Sequence, residues 1–279
     1  LAEAMSGEGD AAGLVFHLAA MGSVPRSLEE PERAFAVNAT GTVRVAEAAR
    51  AAGVSRLVYA ASSSAYGDAA TMPVVETMPV RALSPYAASK LAGEHVVRSW
   101  AQSMGLPGVS LRFFNVFGPR QPADSAYAAV VPAFVDRVKR GERPTIYGDG
   151  TISRDFCYVE NVVRALLLAA THEGEATGEV YNVACGAETS LNGLVAMIGE
   201  FAGKPGLAAE YAAPRVGDIP RSLADISKIE RELGYRCGVD VREGLRLTMA
   251  WAGALASGGD GAGDAGSRRD GAALRLSHQ

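Results

Sequence analysis

The 279-residue sequence is short of the side chains that carry metal and redox chemistry, with three cysteines and four histidines scattered along the chain. None of them fall at ligand spacing, so no metal site is expected. Cys157, Cys185 and Cys237 read as isolated, buried thiols in a reducing compartment. No apolar run reaches membrane-spanning length, so no membrane partner is expected. The excess of one sign of charge is also small. A net charge of −4 gives no reason to expect a nucleic acid or an anionic membrane surface as partner. The first ten residues do not begin with Met and lack the basic and apolar stretches of a secretory signal, which gives a cytoplasmic location by default. Finally, no Gly-rich turn follows a first strand, because Gly7 and Gly9 follow no strand-like run.

What is present is ordinary in bulk: 48% hydrophobic and 21% charged residues, enough for a sizeable globular core. The informative stretch is Ser84-Pro85-Tyr86-Ala87-Ala88-Ser89-Lys90. A hydroxyl cap followed by proline reads as a helix start. Tyr86 and Lys90 then stand four apart on one helix face. A free phenol titrates near pH ~10, too high for a base at neutral pH. A neighbouring ammonium favours the phenolate, which makes Tyr86 a candidate general base and Lys90 its partner. On its own the pair would equally suit a surface helix with a half-buried tyrosine. Upstream, however, Val58-Tyr59-Ala60-Ala61 is an apolar strand that ends in Ser62, Ser63 and Ser64, followed by Tyr66-Gly67. Ligands of open α/β sheets bind beyond the carboxyl ends of strands, where these hydroxyls lie.

Together with Arg-Phe-Phe-Asn-Val-Phe-Gly-Pro at 112–119, these segments resemble the extended short-chain dehydrogenases/reductases, and more narrowly the NAD-dependent nucleotide-sugar epimerases and dehydratases. The resemblance runs from about Leu14 to Trp251. It implies a doubly wound parallel sheet of Rossmann type with a smaller C-terminal lobe for a UDP-sugar. It also implies a Gly-rich pyrophosphate turn, which is not in this sequence. The chain is therefore expected to lack roughly 60–80 residues, the first two or so βα units of that fold. The expected layout is a partial NAD-binding domain over 1–115 with 154–185 returning to it, a substrate lobe from 116–153 and 186–253, and a flexible tail over 254–279.

The same resemblance implies roles for individual residues. Leu18, Ala19 and Ala20, at the end of the strand Leu14–Ala20, are expected along the NAD riboses, with Asn38 and Phe113 beside them and Lys90 on the nicotinamide ribose. Asn38 falls within a helix from Pro31 to Ala52, an unfavourable place for Asn without a role. Its Asn-Ala-Thr sequon is discounted for want of a secretion signal. His17 is expected to be a core histidine. Ser62 matches the hydroxyl that relays the sugar's proton to Tyr86. Ser23, Ser63 and Val130 are expected at the substrate, Asn115, Arg154 and Arg215 on its diphosphate, and Tyr147 against the uracil. Two guanidiniums on one diphosphate also suit its oxygens chemically. The family's dehydratases carry an Asp-Glu pair where this chain has Ser63 and Ser64, which argues for simple redox chemistry at one carbon. Ser222 matches the position beside the sugar's C2 group, where a small residue leaves room for an N-acetyl substituent. The expected reaction is therefore C4 epimerisation of UDP-N-acetylglucosamine. UDP-glucose or UDP-glucuronate epimerisation and a non-catalytic binding module are the alternatives. A homodimer through the helices near 35–50 and 87–104 is expected by the same analogy.

Overall fold

The computed structural model describes residues 1–5, 13–123, 129–214 and 219–255. Its centre is a four-stranded parallel sheet in the order β1 (Leu14–His17), β2 (Arg56–Ser62), β3 (Gly108–Phe113) and β7 (Thr177–Val183). Side chains alternate across a strand, and β2 shows what each face meets. Leu57, Tyr59 and Ala61 pack with Ala46, Ala49 and Val97 from the helices Gly41–Ala51 and Pro85–Ser103. Val58 faces the other way, into a cluster with Val162, Ala165 and Leu166 of the helix Val159–Thr171. Both faces of β2 are covered, which is why it reads as a continuous apolar run, whereas β1, expected to be buried, leaves Leu14 and Phe16 exposed. This is the Rossmann-like α/β arrangement expected from the sequence.

A second sheet orders β10 (Arg221–Ser222), β6 (Ser153–Tyr158) and β4 (Asn115–Phe117), with β8 (Glu188–Ser190) antiparallel to β6. β5 (Thr145–Tyr147) pairs separately with β9 (Glu210–Ala212). The helices Val130–Lys139, Leu191–Phe201 and Val241–Ala252 close a second core around Phe134, Ile146, Phe156, Ile198 and Leu245. Ser190 and Asp240 cap two of them, through Gly193 N–H at 3.0 Å and Glu243 N–H at 2.8 Å. The short helix Ser227–Leu233 packs instead on the first sheet, with Ile229, Leu233 and Tyr235 in its core. Residues 256–279, expected as a tail, lie outside the described residues. Among the described residues no helix is long and apolar enough to cross a membrane, and no group of His, Cys, Asp and Glu is placed to hold a metal ion.

Two features depart from the sequence expectations. The helix expected over Pro31–Ala52 is continuous but not uniform, since Ala36–Thr40 widens into a π-helical turn that contains Asn38. Two of the three supposedly isolated thiols are joined: Cys185 and Cys237 form a disulfide with 5.1 Å between their Cα atoms. Separation along the chain hid their proximity. Asn161 folds the second cysteine's loop back onto the end of β7, donating to Val239 C=O at 2.7 Å and accepting from the N–H groups of Gly238 and Val239. Only Cys157 remains free, and burial pushes its thiol up to about 12.

Beneath the site lies a buried ion pair. Arg112 on β3 donates to both Glu94 carboxylate oxygens, at 2.9 and 2.7 Å, with the two side chains 4% and 3% exposed. The guanidinium also covers the Tyr66 ring at 4.6 Å. The Tyr66 hydroxyl donates to Asn182 on β7 at 2.6 Å, and the Asn182 amide in turn binds the carbonyls of Val74 and Asp225. The network joins the Pro85–Ser103 helix, β3, β7, the turn after β2 and the segments along the β7 edge. Glu94→Ala leaves a buried guanidinium without its counter-charge and is expected to cost about 3–5 kcal/mol. The thermal midpoint should then drop by on the order of 10 °C for a chain of this size. Combining Glu94→Leu with Arg112→Met is expected to recover most of the loss, and calorimetry on the three proteins checks both statements.

Candidate active site

The helix that carries Tyr86 and Lys90 begins as its sequence requires. Ser84 is extended and its hydroxyl accepts from Ala87 N–H at 3.1 Å, with Pro85 in the first turn. A further donor of that turn is the N–H of Tyr86 itself, which goes to Ser27 Oγ at 3.0 Å. Ser27 is fully buried and donates its own proton to Val24 C=O at 2.7 Å. The short helix Val24–Glu29, capped by Ser23, is thereby tied to the Tyr86 backbone. Nothing in the sequence marked Ser27.

Asn38 holds the other side. Its Oδ1 accepts from Met21 N–H at 2.7 Å, while its Nδ2 donates to Met21 C=O at 3.3 Å and to Ser89 Oγ at 3.0 Å. Ser89 donates in turn to Tyr86 C=O at 2.9 Å. Asn38 is 1% exposed and its amide is fully used. It therefore acts on the site by fixing the turn between Tyr86 and Lys90 against the loop after β1. One turn on, Thr42 Oγ1 donates to Asn38 C=O at 2.6 Å. Thr42 also meets His17 Nε2 at 2.9 Å. His17 is the core histidine expected, and burial, aided by the Lys90 charge, brings it down to about 4.

Lys90 is 3% exposed, with its Nζ 4.4 Å from the centroid of the Tyr59 ring. Burial lowers its ammonium to about 8. The Tyr59 hydroxyl donates to Lys90 C=O at 3.2 Å, and a methyl added to Gly93 would collide with that hydroxyl. Ser62 sits at the end of β2, 9% exposed, where its hydroxyl favours the ionised form of the Tyr86 phenol. One expectation is corrected here. Lys90 does not hold the Tyr86 phenol below its ordinary range. Burial pushes the phenol up, the Ser62 hydroxyl opposes that rise, and the Lys90 ammonium lies over Tyr59 instead.

The remaining sequence candidates fall into two groups. Phe113 ends β3 in register with Ser62 and Val183. Ser63 is half-buried in the turn after β2, while Leu18, Ala19 and Ala20 are exposed past the end of β1. An apolar strand end beside a buried phenol and ammonium fits the nicotinamide riboside half of NAD, a weakly polar ring joined to a diol. The second group lies on the second sheet. Asn115 opens β4 and donates to Asp155 C=O at 3.2 Å, and Arg154 on β6 is in register with Ser222 on β10. Tyr147 is on the separate β5–β9 pair and 37% exposed, and Val130 begins the helix Val130–Lys139. Arg215 lies outside the described residues.

Asp155 joins the two groups. Its carboxylate accepts from the N–H groups of Cys185, Gly186 and Ala224 at 2.9, 3.0 and 3.3 Å. Burial still pushes it up to about 6. Its signal in the sequence was an acid directly before the apolar half of a strand, Phe156-Cys157-Tyr158.

A profile of the NAD dependent epimerase/dehydratase family matches residues 3–184. The UDP-glucose 4-epimerase of Mycolicibacterium smegmatis is 39% identical over 237 residues, covering 85% of this chain and 74% of that protein. The structure of a UDP-N-acetylglucosamine 4-epimerase from Methanobrevibacter ruminantium, in complex with UDP-N-acetylmuramic acid, superposes with a TM-score of 0.83 at 38% identity, covering 87% of this chain and 77% of that one. A UDP-glucose 4-epimerase from Thermotoga maritima with UDP-glucose gives 0.81 at 36% identity, covering 86% and 77%.

His17 makes the site's scaffold sensitive to acid. Its folded value, about 4, lies below its ordinary 6.5, so below pH 6.5 the unfolded chain takes a proton that the folded one refuses. The stability it contributes is complete above pH 6.5 and is lost as the pH falls towards 4. Asp155, held up near 6, works in the opposite sense over part of that range. The readout is therefore a difference. Between pH 7 and 4 the urea midpoint of the parent protein should drop further than that of His17→Gln.

Proposed function

We propose that this chain, which belongs to the NAD dependent epimerase/dehydratase family, interconverts UDP-N-acetylglucosamine and UDP-N-acetylgalactosamine. Its activity class is NAD-dependent 4-epimerisation of a UDP-sugar. The observation that carries the site reading is the helix turn of Tyr86 and the buried Lys90, pinned by Ser27 and Ser89, with the Ser62 hydroxyl at the end of β2 favouring the ionised phenol. Positions 63 and 64 hold hydroxyls rather than the acid and base an elimination needs.

NAD, when bound, would supply the acceptor and the source of the C4 hydride. Tyr86 takes the proton of the C4 hydroxyl through Ser62 and gives it back once the 4-keto sugar has turned about its diphosphate linkage. Lys90 holds the nicotinamide ribose. Leu18, Ala19, Ala20 and Phe113 border the cofactor, and Asn38 keeps the Tyr86 turn in place from behind. Asn115, Arg154 and Arg215 retain the diphosphate while the ketone is free to turn, with Tyr147 on the uracil and Ser23, Ser63 and Val130 at the sugar's edge. The choice of an N-acetylated sugar rests on Ser222, whose register with Arg154 supports a place for it beside the diphosphate-bound sugar. A homodimer through the helices near 35–50 and 87–104 is supported by the exposure of Phe35 and Val37, 40% and 38%. The binding-module alternative has no observation in its favour.

Tyr86→Phe is expected to abolish epimerisation of the NAD-loaded protein while UDP binds nearly as before; unchanged turnover would remove Tyr86 from the reaction. Ser222→Tyr is expected to lower kcat/KM for UDP-N-acetylglucosamine by about tenfold or more, roughly the 1.4 kcal/mol of a lost pocket contact, and to spare UDP-glucose. Coupled assays with the two sugars side by side decide it. Conversion of UDP-glucose alone by the parent protein would keep the mechanism and overturn the choice of sugar.

A further inference from the structure

The turn after β2 brings a second hydroxyl to the relay. Ser62 Oγ lies 2.8 Å from Ser64 Oγ and also accepts from Ser64 N–H at 3.2 Å. This follows from the backbone: Ser62 is extended and caps the 3₁₀ turn Ser63–Tyr66, which points its side chain at the N–H two residues on. Gly67, at φ 61°, ends the turn by donating to Ser64 C=O at 3.2 Å, and so holds the residue whose side chain meets Ser62. Ser64 has no part in the reaction as derived above.

We propose that Ser64 is a positioning residue that fixes the Ser62 proton on the Tyr86 side of the relay. The argument is an inventory of one hydroxyl, and it rests on the assignment of Ser62 and Tyr86 made above. A serine oxygen has one proton to give and two lone pairs. The Ser64 N–H takes one lone pair. If the Ser64 hydroxyl donates into the other, Ser62 keeps only its proton, and that proton must go to Tyr86. A donor on the phenol oxygen favours the phenolate, the form a base requires. If Ser62 instead donated to Ser64, it could only accept from Tyr86, which would favour the neutral phenol. The first arrangement is also the one a substrate can use. The C4 hydroxyl replaces the Ser64 hydroxyl on the lone pair of Ser62. Its proton passes to Ser62 Oγ as the Ser62 proton passes to Tyr86 Oη, and the C4–H bond gives up its hydride to NAD. Ser64 neither gains nor loses a proton in the cycle. It sets the direction of the relay before substrate arrives.

The acid limb of the kcat/KM profile reports the base in the free enzyme, so it measures this effect directly. In the NAD-loaded protein, Ser64→Ala is expected to move that limb up by about half a unit to one unit and to lower kcat/KM at neutral pH by roughly three- to tenfold, with UDP affinity by calorimetry unchanged. Ser64→Thr, which keeps the hydroxyl, should return the limb to the parent position, and Ser64→Gly serves in its place as the hydroxyl-free variant if Ser64→Ala does not fold. A limb that stays put, or a loss confined to KM, overturns the proposal. Ser62→Ala in the same series separates the two readings. If it removes turnover while Ser64→Ala leaves the limb in place, only the Ser64 proposal fails; if it leaves turnover intact, the relay assignment fails with it.

Discussion

One side-chain amide holds the reactive half of the molecule in register. Asn38 spans the loop after β1 and the first turns of the Pro85–Ser103 helix, and it bonds between the two residues on which the site reading rests. The tyrosine and lysine share a helix face by periodicity alone, but periodicity does not decide where that face stands relative to the ends of the strands. The amide decides it, with the Ser27 hydroxyl on the Tyr86 N–H as the second fixed point. The Asn38 carbonyl accepts from Thr42 one turn on, and Thr42 reaches His17 and so links the helix to β1.

The polar groups around this arrangement are buried rather than exposed, which makes the site rigid and electrostatically sensitive. Lys90, His17 and Asp155 are all moved from their ordinary values chiefly by loss of water, and Arg112 with Glu94 persists in the core only because each answers the other. Buried pairs of this kind add little net stability and much penalty for misplacement. They restrict the packing of the catalytic helix on β3 to one geometry, which suits a base that must take a proton from an oxygen and later return it to the same oxygen.

Much of this was legible in the residues. Buried parallel strands read as unbroken apolar runs, and the caps Ser84, Ser190 and Asp240 act where a hydroxyl or carboxylate precedes a periodic segment. Asn38 stood out because an amide inside a helix needs a reason. Ser27 did not, because an isolated serine carries no pattern and its role depends on a neighbour 59 residues away, and Ser64 was marked only as one of three strand-end hydroxyls, since its contact with Ser62 depends on a local turn geometry. The cysteines misled for a related reason: 52 residues separate Cys185 from Cys237, and only the fold-back at Asn161 brings them together. The lowering of the Tyr86 phenol by Lys90 followed from spacing along the helix, but spacing says nothing of the Tyr59 ring over which the ammonium rests.

Asp155 has a mechanical side as well. A single carboxylate gathers amides from beyond the end of β7 and from beyond the end of β10, so it rivets the sheet that carries Tyr86's neighbours to the sheet that carries Ser222. The disulfide from Cys185 lies directly beside that rivet. Opening the two sheets like a book would strip the Cys185 and Gly186 N–H groups from a buried carboxylate, so this joint is a poor hinge and the floor beneath the strand ends stays still.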